Sequence, residues 1–126
     1  MSHPLLRHYI AGSFVASSRT FDNVSPVDGR VLGQVCEAGA AEVDAAVTAA
    51  VEAQSGPWGG WCAAQRADLL ERIADAIERR FEDFVAAEVA DTGRPVQQAR
   101  SLDVARGVHN FRTFAGLIRQ SGGEYY

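Results

Sequence analysis

Three polar side chains near the end of the chain are spaced so that they could act together. Asp103, Arg106 and Asn110 stand at i, i+3 and i+7, which is one stripe of an α-helix. An arginine fork binds a carboxylate through two parallel hydrogen bonds, so Arg106 is a candidate for holding an acidic ligand. The alternative is an ion pair between Arg106 and Asp103 on a solvated helix face, with no functional role.

The two cysteines, Cys36 and Cys62, lack the sequence features of reactive or metal-binding thiols. They are far apart, and neither stands in a CxxC or Cys-His spacing, so a disulfide scaffold and a zinc site are not indicated. A catalytic thiol needs a base and an orienting group nearby, and neither cysteine has one in its sequence neighbourhood. We expect two small buried or half-buried thiols and assign no catalytic residue to this chain.

The elements that position these side chains begin with two hairpins, predicted within residues 7–36. Ala11-Gly12 separates two short apolar and aromatic runs, which is a hairpin signal. Pro26 with Asp28-Gly29 predicts a tight turn in the second hairpin, because Asp-Gly supplies the positive φ angles that such a turn needs.

About four helices are predicted over residues 41–121. The first has an apolar face and stops at Gly56-Pro57; the third stops at Thr92-Gly93; the last starts near Val96 and ends at Gly122-Gly123. The apolar positions recur with helical period, and the core candidates are Val43, Ala46, Val47, Ala50 and Val51, then Leu70, Ile73, Ala74, Ile77 and Phe81, then Phe84, Val85 and Val89, and finally Val104, Val108, Phe111, Ala115 and Ile118.

Composition limits the class of protein. The 126 residues suit one domain, here residues 1–126, and we find no linker that divides them. The formal charge is −4 and all 12 basic residues are scattered arginines, which argues against a nucleic-acid partner. No apolar run approaches the roughly 18 residues of a membrane span, and the N-terminus has no convincing signal peptide. We expect a cytoplasmic protein.

Six motifs in a fixed order resemble a known family. The chain is similar to the N-terminal quarter of the NAD(P)-dependent aldehyde dehydrogenase superfamily along nearly its whole length. Each motif is weak alone, and their order carries the resemblance. The motifs are "HYIAGSFV", "NVSPVDGRVLGQV", "AAEVDAAVTAA", "PWGGWCAAQRADLLERIADAIERR", "DTGRP" and "NFRTFAG".

One segment narrows the resemblance. "LDVARGVHNFRTFA" is similar to the corresponding part of the 2-hydroxymuconic and 2-aminomuconic semialdehyde dehydrogenases, with Asp-x-x-Arg, then Asn-Phe and an aromatic-Ala pair. Ala105 stands where that subgroup usually has proline. The subgroup oxidises the ring-cleavage product of a catechol or aminophenol to a dicarboxylate. The resemblance therefore implies a semialdehyde substrate that carries a carboxylate at its far end.

The resemblance also implies a fold, and it implies which functional groups of the family lie outside this chain. It implies an α/β fold in which this chain is the N-terminal part of the cofactor domain, with short antiparallel hairpins, covering helices and the parallel sheet missing. The family uses NAD and forms homo-oligomers, but its catalytic cysteine, general-base glutamate and cofactor loop all lie downstream of this segment. We expect a truncated or partial enzyme that is inactive alone and whose partner is the missing remainder.

The resemblance assigns two candidate sites. Arg106 would hold the distal carboxylate of the substrate, which orients the aldehyde and discriminates against simple aldehydes. Asn23, Val24 and Asp103 match positions of a monovalent-cation site, where carbonyl oxygens and one carboxylate suit a hard cation. The alternative for the second site is a turn asparagine and a helix acid without a ligand.

A different class of function stays open. The chain could be a helical interaction module without enzymatic activity, or one piece of a split enzyme. If the helices lack the strands that they cover in the family, large exposed apolar patches should appear on them. A module would instead shelter its apolar faces within itself.

Overall fold

The computed structural model describes residues 4–120, which form two compact units that divide after Gly60. The first unit contains strands β1 (Leu5–Leu6), β2 (His8–Ile10), β3 (Ser13–Val15), β4 (Thr20–Val24) and β5 (Val31–Cys36), followed by helix α1 (Ala40–Ser55). The second contains helices α2 (Ala63–Arg79), α3 (Phe81–Thr92) and α4 (Val96–Gln98), a π-helical segment (Ala99–Val104) and helix α5 (Ala105–Gln120). Short strands followed by helices confirm the predicted α/β class. The predicted end of the last helix at Gly122-Gly123 lies outside the described residues, and the single-domain assignment stays a prediction.

The first predicted hairpin is confirmed. Strands β2 and β3 pair antiparallel, with Tyr9 opposite Phe14, and the two rings meet edge to face at 5.2 Å. Ala11 and Gly12 form the turn, and both have positive φ angles, 50° and 79°. A two-residue turn of this hand matches the twist of the paired strands.

The second hairpin forms between β4 and β5 with its turn at the predicted position, but the expectation of positive φ angles at Asp28-Gly29 was right only for Gly29. The connection runs from Ser25 to Arg30, and within it only Gly29 has a positive φ, 72°. The Gly29 N–H donates to the Ser25 carbonyl oxygen at 3.0 Å, and the Ser25 N–H donates to the Arg30 carbonyl oxygen at 2.9 Å. A two-residue turn would need positive φ at both central residues, and Asp28 does not supply it.

Strand β1 adds a pairing that the sequence did not predict. It lies parallel to β5, with Leu5 opposite Gln34, so the three-stranded sheet has the order β1-β5-β4. A Cβ built on Gly33 would lie 2.9 Å from the Pro4 carbonyl oxygen, so the approach of this segment depends on glycine at position 33.

Helix α1 begins and ends close to its predicted limits, but the described residues leave its apolar face uncovered. The Gly39 N–H donates to Glu42 Oε2 at 2.8 Å, and this bond is the main reason that the pKa of the Glu42 carboxyl is lowered. Val43, Val47 and Val51 are 52%, 58% and 62% exposed, and no residue of the helix is buried. The expectation of exposed apolar patches is confirmed on this helix.

The core of the second unit is built from small and β-branched side chains. Val85, Ala99 and Val104 form a buried cluster that joins α3 to the π-helical segment. Helix α2 packs on α5, and Ala67 and Ala74 are the buried residues of α2. The predicted core positions of the last helix are confirmed, with Val104, Val108 and Ala115 buried and Phe111 and Ile118 half-buried.

Candidate functional site

The candidate site lies where the chain turns from α3 into the last helical stretch. Gly93 ends α3 in the left-handed conformation, with φ 69°, which confirms the predicted stop at Thr92-Gly93. Helix α4, the π-helical segment and α5 then follow without a break, and the residues at their junctions keep helical backbone angles. A π-helical turn is rare and is frequently found at functional sites. It holds Asp103, and Arg106 follows in the first turn of α5.

Asp103 is paired with Arg94. Arg94 Nη1 lies 3.0 Å from Asp103 Oδ1 and 3.1 Å from Oδ2. The Asp103 side chain is 22% exposed and that of Arg94 is 46% exposed, so the pair is partly shielded from solvent. Sequence reasoning missed this contact, because Arg94 lies in the turn before α4 and shares no helix with Asp103.

Arg106 is exposed and, among residues 4–120, has neither an ion pair nor a hydrogen bond to a side chain. The alternative of an Asp103–Arg106 pair is therefore wrong for this structure. The stripe expected from a regular α-helix is also altered, because Asp103 lies in the wider π-helical turn whereas Arg106 and Asn110 lie in α5.

Arg106 shares one face of α5 with apolar side chains. At about 100° per residue, Asn110, Phe114 and Leu117 lie within a quarter turn of Arg106. All four residues are exposed, whereas Val108 and Ala115 on the opposite face are buried. We call this the outer face of α5: Arg106, Asn110, Phe114 and Leu117. A cation that has no carboxylate partner within residues 4–120 and lies beside apolar side chains is a surface suited to an organic anion.

The candidate cation ligands belong to different units. Asn23 and Val24 lie at the end of β4, where the register of its pairing with β5 shifts, and Asp103 lies in the second unit. Within residues 4–120, no group of three or more histidine, cysteine, aspartate or glutamate side chains is placed to hold a metal ion. The monovalent-cation site stays a prediction.

The two thiols differ from each other. Cys36 at the end of β5 is buried, as expected. Cys62 is exposed, so the prediction of a buried or half-buried thiol was wrong for Cys62. Cys62 immediately precedes α2, where its N–H donates to Gln65 Oε1 at 2.9 Å and its side chain stays in solvent. Neither thiol has a hydrogen-bonded base among the described residues, and no catalytic role is assigned to them.

Comparison with known proteins identifies the family. The model of the aldehyde dehydrogenase family matches residues 14–126, which is most of the chain. The chain belongs to the aldehyde dehydrogenase family. The resemblance found in the order of the six motifs is thereby confirmed.

Relatives in this family include enzymes of the expected subgroup. The chain is 47% identical over 123 residues to a 2-hydroxymuconic semialdehyde dehydrogenase of Pseudomonas sp. (strain CF600), a match that covers 96% of the chain and 25% of the relative. It is 49% identical over 112 residues to a 2-aminomuconic 6-semialdehyde dehydrogenase of Pseudomonas sp., covering 89% of the chain and 23% of the relative. The chain thus spans about a quarter of the length of these aldehyde dehydrogenases.

Solved aldehyde dehydrogenases share the fold. An NAD+ complex of the Bacillus cereus enzyme superimposes with a TM-score of 0.92 at 36% identity, over 98% of the chain and 26% of that structure. The residues of both compact units therefore have counterparts in a solved aldehyde dehydrogenase. None of the helices among residues 4–120 has the length and apolar character to cross a membrane.

Proposed function

We propose that this chain is one segment of an NAD-dependent aldehyde dehydrogenase that oxidises a hydroxy- or aminomuconic semialdehyde to the dicarboxylate. The identity of 47% to a 2-hydroxymuconic semialdehyde dehydrogenase, over 96% of the chain, is the observation that carries this proposal. NAD is part of the proposal because a solved relative holds NAD+. When bound, NAD accepts the hydride; no residue of this chain is assigned to hold it.

Arg106 is proposed to bind the carboxylate at the far end of the substrate. Its guanidinium group is exposed and has no carboxylate partner among the described residues, so its five N–H donors are available. A bidentate pair with the substrate carboxylate fixes both the position and the orientation of the molecule. Such a contact remote from the aldehyde favours the semialdehyde over aldehydes that have no carboxylate.

The rest of the outer face of α5 supports the same role. Phe114 and Leu117 are 57% and 54% exposed, although side chains of their size are usually sheltered. In the complete enzyme we propose that this face forms a wall of the substrate entrance. The apolar side chains would then contact the carbon chain of the substrate, while Arg106 holds its charged end.

The chain alone is proposed to be inactive. In the family a thiolate adds to the aldehyde; NAD, when bound, would accept the hydride, which leaves a thioester that water hydrolyses with the help of a base. Among the described residues, Cys36 is buried and Cys62 has no base as a partner, so neither thiol is suited to that step. This segment would contribute scaffold and substrate binding.

The proposal is tested with a joined enzyme, in which this chain replaces the matching quarter of the Pseudomonas 2-hydroxymuconic semialdehyde dehydrogenase. We expect the joined enzyme to form NADH from 2-hydroxymuconic semialdehyde, and the isolated chain to form none. A further control pairs the isolated chain with the remaining part of the relative as two separate polypeptides. Sustained NADH formation by the isolated chain, or a joined enzyme that folds but does not turn over this substrate, would overturn the proposal.

A further inference from the structure

The Arg94–Asp103 ion pair leaves Arg106 without a carboxylate partner among the described residues. Asp103 stands three residues before Arg106, and opposite charges at this spacing on a regular helix are neighbours that pair. In this structure the Asp103 carboxylate is instead held by Arg94, with both carboxylate oxygens within 3.1 Å of Nη1. Arg106 consequently keeps its donors free of a protein carboxylate among the described residues.

The backbone contributes to the same arrangement. Asp103 lies in the π-helical segment, whose ends, Ala99 and Val104, are buried in the core of the second unit. The wider turn changes the angle between successive side chains relative to an α-helix, and in this structure Asp103 pairs with Arg94. Burial of Ala99 and Val104 fixes the two ends of the segment that holds Asp103.

The surroundings of Asp103 lie on the side of α3. Asp103 lines a groove of about 210 Å³ together with Phe84 and Glu88 of α3 and Gly107 of α5, and Arg106 is not among its lining residues. Arg94 belongs to the turn that follows α3, where its N–H donates to Thr92 Oγ1 at 3.3 Å. The Asp103 carboxylate is thus turned toward α3 and the turn after it.

We propose that Arg94 is a positioning residue for carboxylate binding: by holding Asp103, it prevents the Asp103 carboxylate from occupying Arg106. The inference rests on the proposed function, in which Arg106 binds the carboxylate of the substrate. Without Arg94, Asp103 has two arginines three residues away along the helix: Arg100, which already pairs with Glu82 at 2.7 Å, and Arg106, which has no carboxylate partner among the described residues. An internal carboxylate on Arg106 would then compete with the substrate for the same donors.

The kinetic test uses Arg94→Gln in the joined enzyme. We expect KM for 2-hydroxymuconic semialdehyde to rise roughly two- to fivefold, the range of an exposed ion pair, with kcat unchanged. KM for hexanal, which has no carboxylate, should stay the same. Arg94→Lys, which keeps the positive charge near Asp103, should restore most of the loss. An unchanged KM in Arg94→Gln, or an equal rise for both aldehydes, would overturn the inference.

The double variant Arg94→Gln/Asp103→Asn separates competition from a loss of structure. If Asp103 competes for Arg106, removing its charge returns KM toward the value of the parent enzyme, even though the original ion pair is lost. If Arg94 only stabilises the turn, the double variant stays as impaired as Arg94→Gln or becomes worse, and the inference fails.

A readout that needs no turnover keeps this inference distinct from the proposed function. In the full 126-residue chain, the 15N resonance of Arg106 Nε should shift in Arg94→Gln and return in the double variant. The absence of that shift overturns the inference. If the shift occurs but Arg106→Gln leaves KM of the joined enzyme unchanged, the proposed function of Arg106 is wrong. The exchange of Asp103 from Arg94 to Arg106 would still be supported by the shift.

Discussion

Arg112 on α5 holds Glu78 on α2 through two nitrogen atoms, Nη1 at 2.8 Å and Nη2 at 2.7 Å from the carboxylate oxygens. Nη2 also donates to Asp75 at 3.0 Å. One arginine therefore ties two acidic groups of α2 to α5, along the border of the interface where Ala74 is buried. The hydrogen bond from Arg112 is the main cause of the lowered pKa of Glu78.

We predict that Arg112→Gln lowers the melting temperature of the chain. The substitution removes the charge that Glu78, Asp75 and, at 3.8 Å, Glu71 face, and leaves three like charges near one another on α2. Circular dichroism should show a drop of several degrees. Arg100→Gln is the matched control, because Arg100 makes a single contact with Glu82 and lies outside the α2–α5 interface. Equal melting temperatures for the two variants would contradict the role given to Arg112.

The contribution of Glu78 should depend on pH. Its folded-state pKa is lowered from the ordinary value of 4.5, so this contribution is fully present above about pH 4.5 and is lost as the pH falls through the folded-state value. The difference in melting temperature between the parent chain and Glu78→Gln should be constant near neutral pH and shrink below pH 4.5. A difference that grows on acidification would have the wrong sign for this explanation.

The apolar face of α1 should bind a hydrophobic dye. Val43, Val47 and Val51 are more than half exposed, and such a patch binds anilinonaphthalene sulfonate when no partner covers it. We expect the isolated chain to enhance the fluorescence of the dye, and Val47→Gln/Val51→Gln to reduce the enhancement. Thr48→Gln, on the same helix, should leave it unchanged. A chain that melts cooperatively and binds no dye would favour the alternative of a self-contained module.

The turn after α1 should depend on Gly59. A Cβ at this position would overlap the carbonyl oxygen of Gln54, so the backbone must move to accept any other residue. Gly59→Ala should lower the free energy of unfolding by about 1–3 kcal/mol. Gly60→Ala is the control, because its Cβ would lie 3.7 Å from the Pro57 carbonyl oxygen, an ordinary contact. Equal stabilities measured in urea for the two variants would contradict the geometry of this turn.

Local patterns predicted the elements well, because each pattern lies within one element. The Ala11-Gly12 turn and the Gly93 stop follow from backbone angles that glycine adopts readily, and the helix faces follow from periodicity. Strand β1 was not predictable in the same way, since two residues carry no period and their partner lies in β5. The apolar face of α1 was predicted, and among residues 4–120 it is left exposed. A sequence pattern indicates that a face is apolar but does not indicate what lies against it.

The candidate site was predictable in part. Arg106 was found through a motif, but the pairing of its neighbour Asp103 with Arg94 was not, because Arg94 lies outside that segment. The π-helical segment has no sequence signature. The expected stripe from Asp103 through Arg106 assumed a regular α-helix, whereas Asp103 lies in a π-helical turn. An ion pair between separate elements and a change of helix type do not follow from the local period of a sequence, so neither was predictable here.

The most direct test of this account is the specificity of the joined enzyme with and without Arg106. We predict that Arg106→Gln lowers kcat/KM for 2-hydroxymuconic semialdehyde by roughly tenfold or more, as expected for loss of a charge-assisted bidentate contact. The value for hexanal should stay within about twofold, and so should both values in Arg79→Gln, an exposed arginine of α2, on the scale of a surface substitution. Equal losses for both aldehydes in Arg106→Gln, or no loss for either, would contradict the proposal that this arginine binds the carboxylate of the substrate.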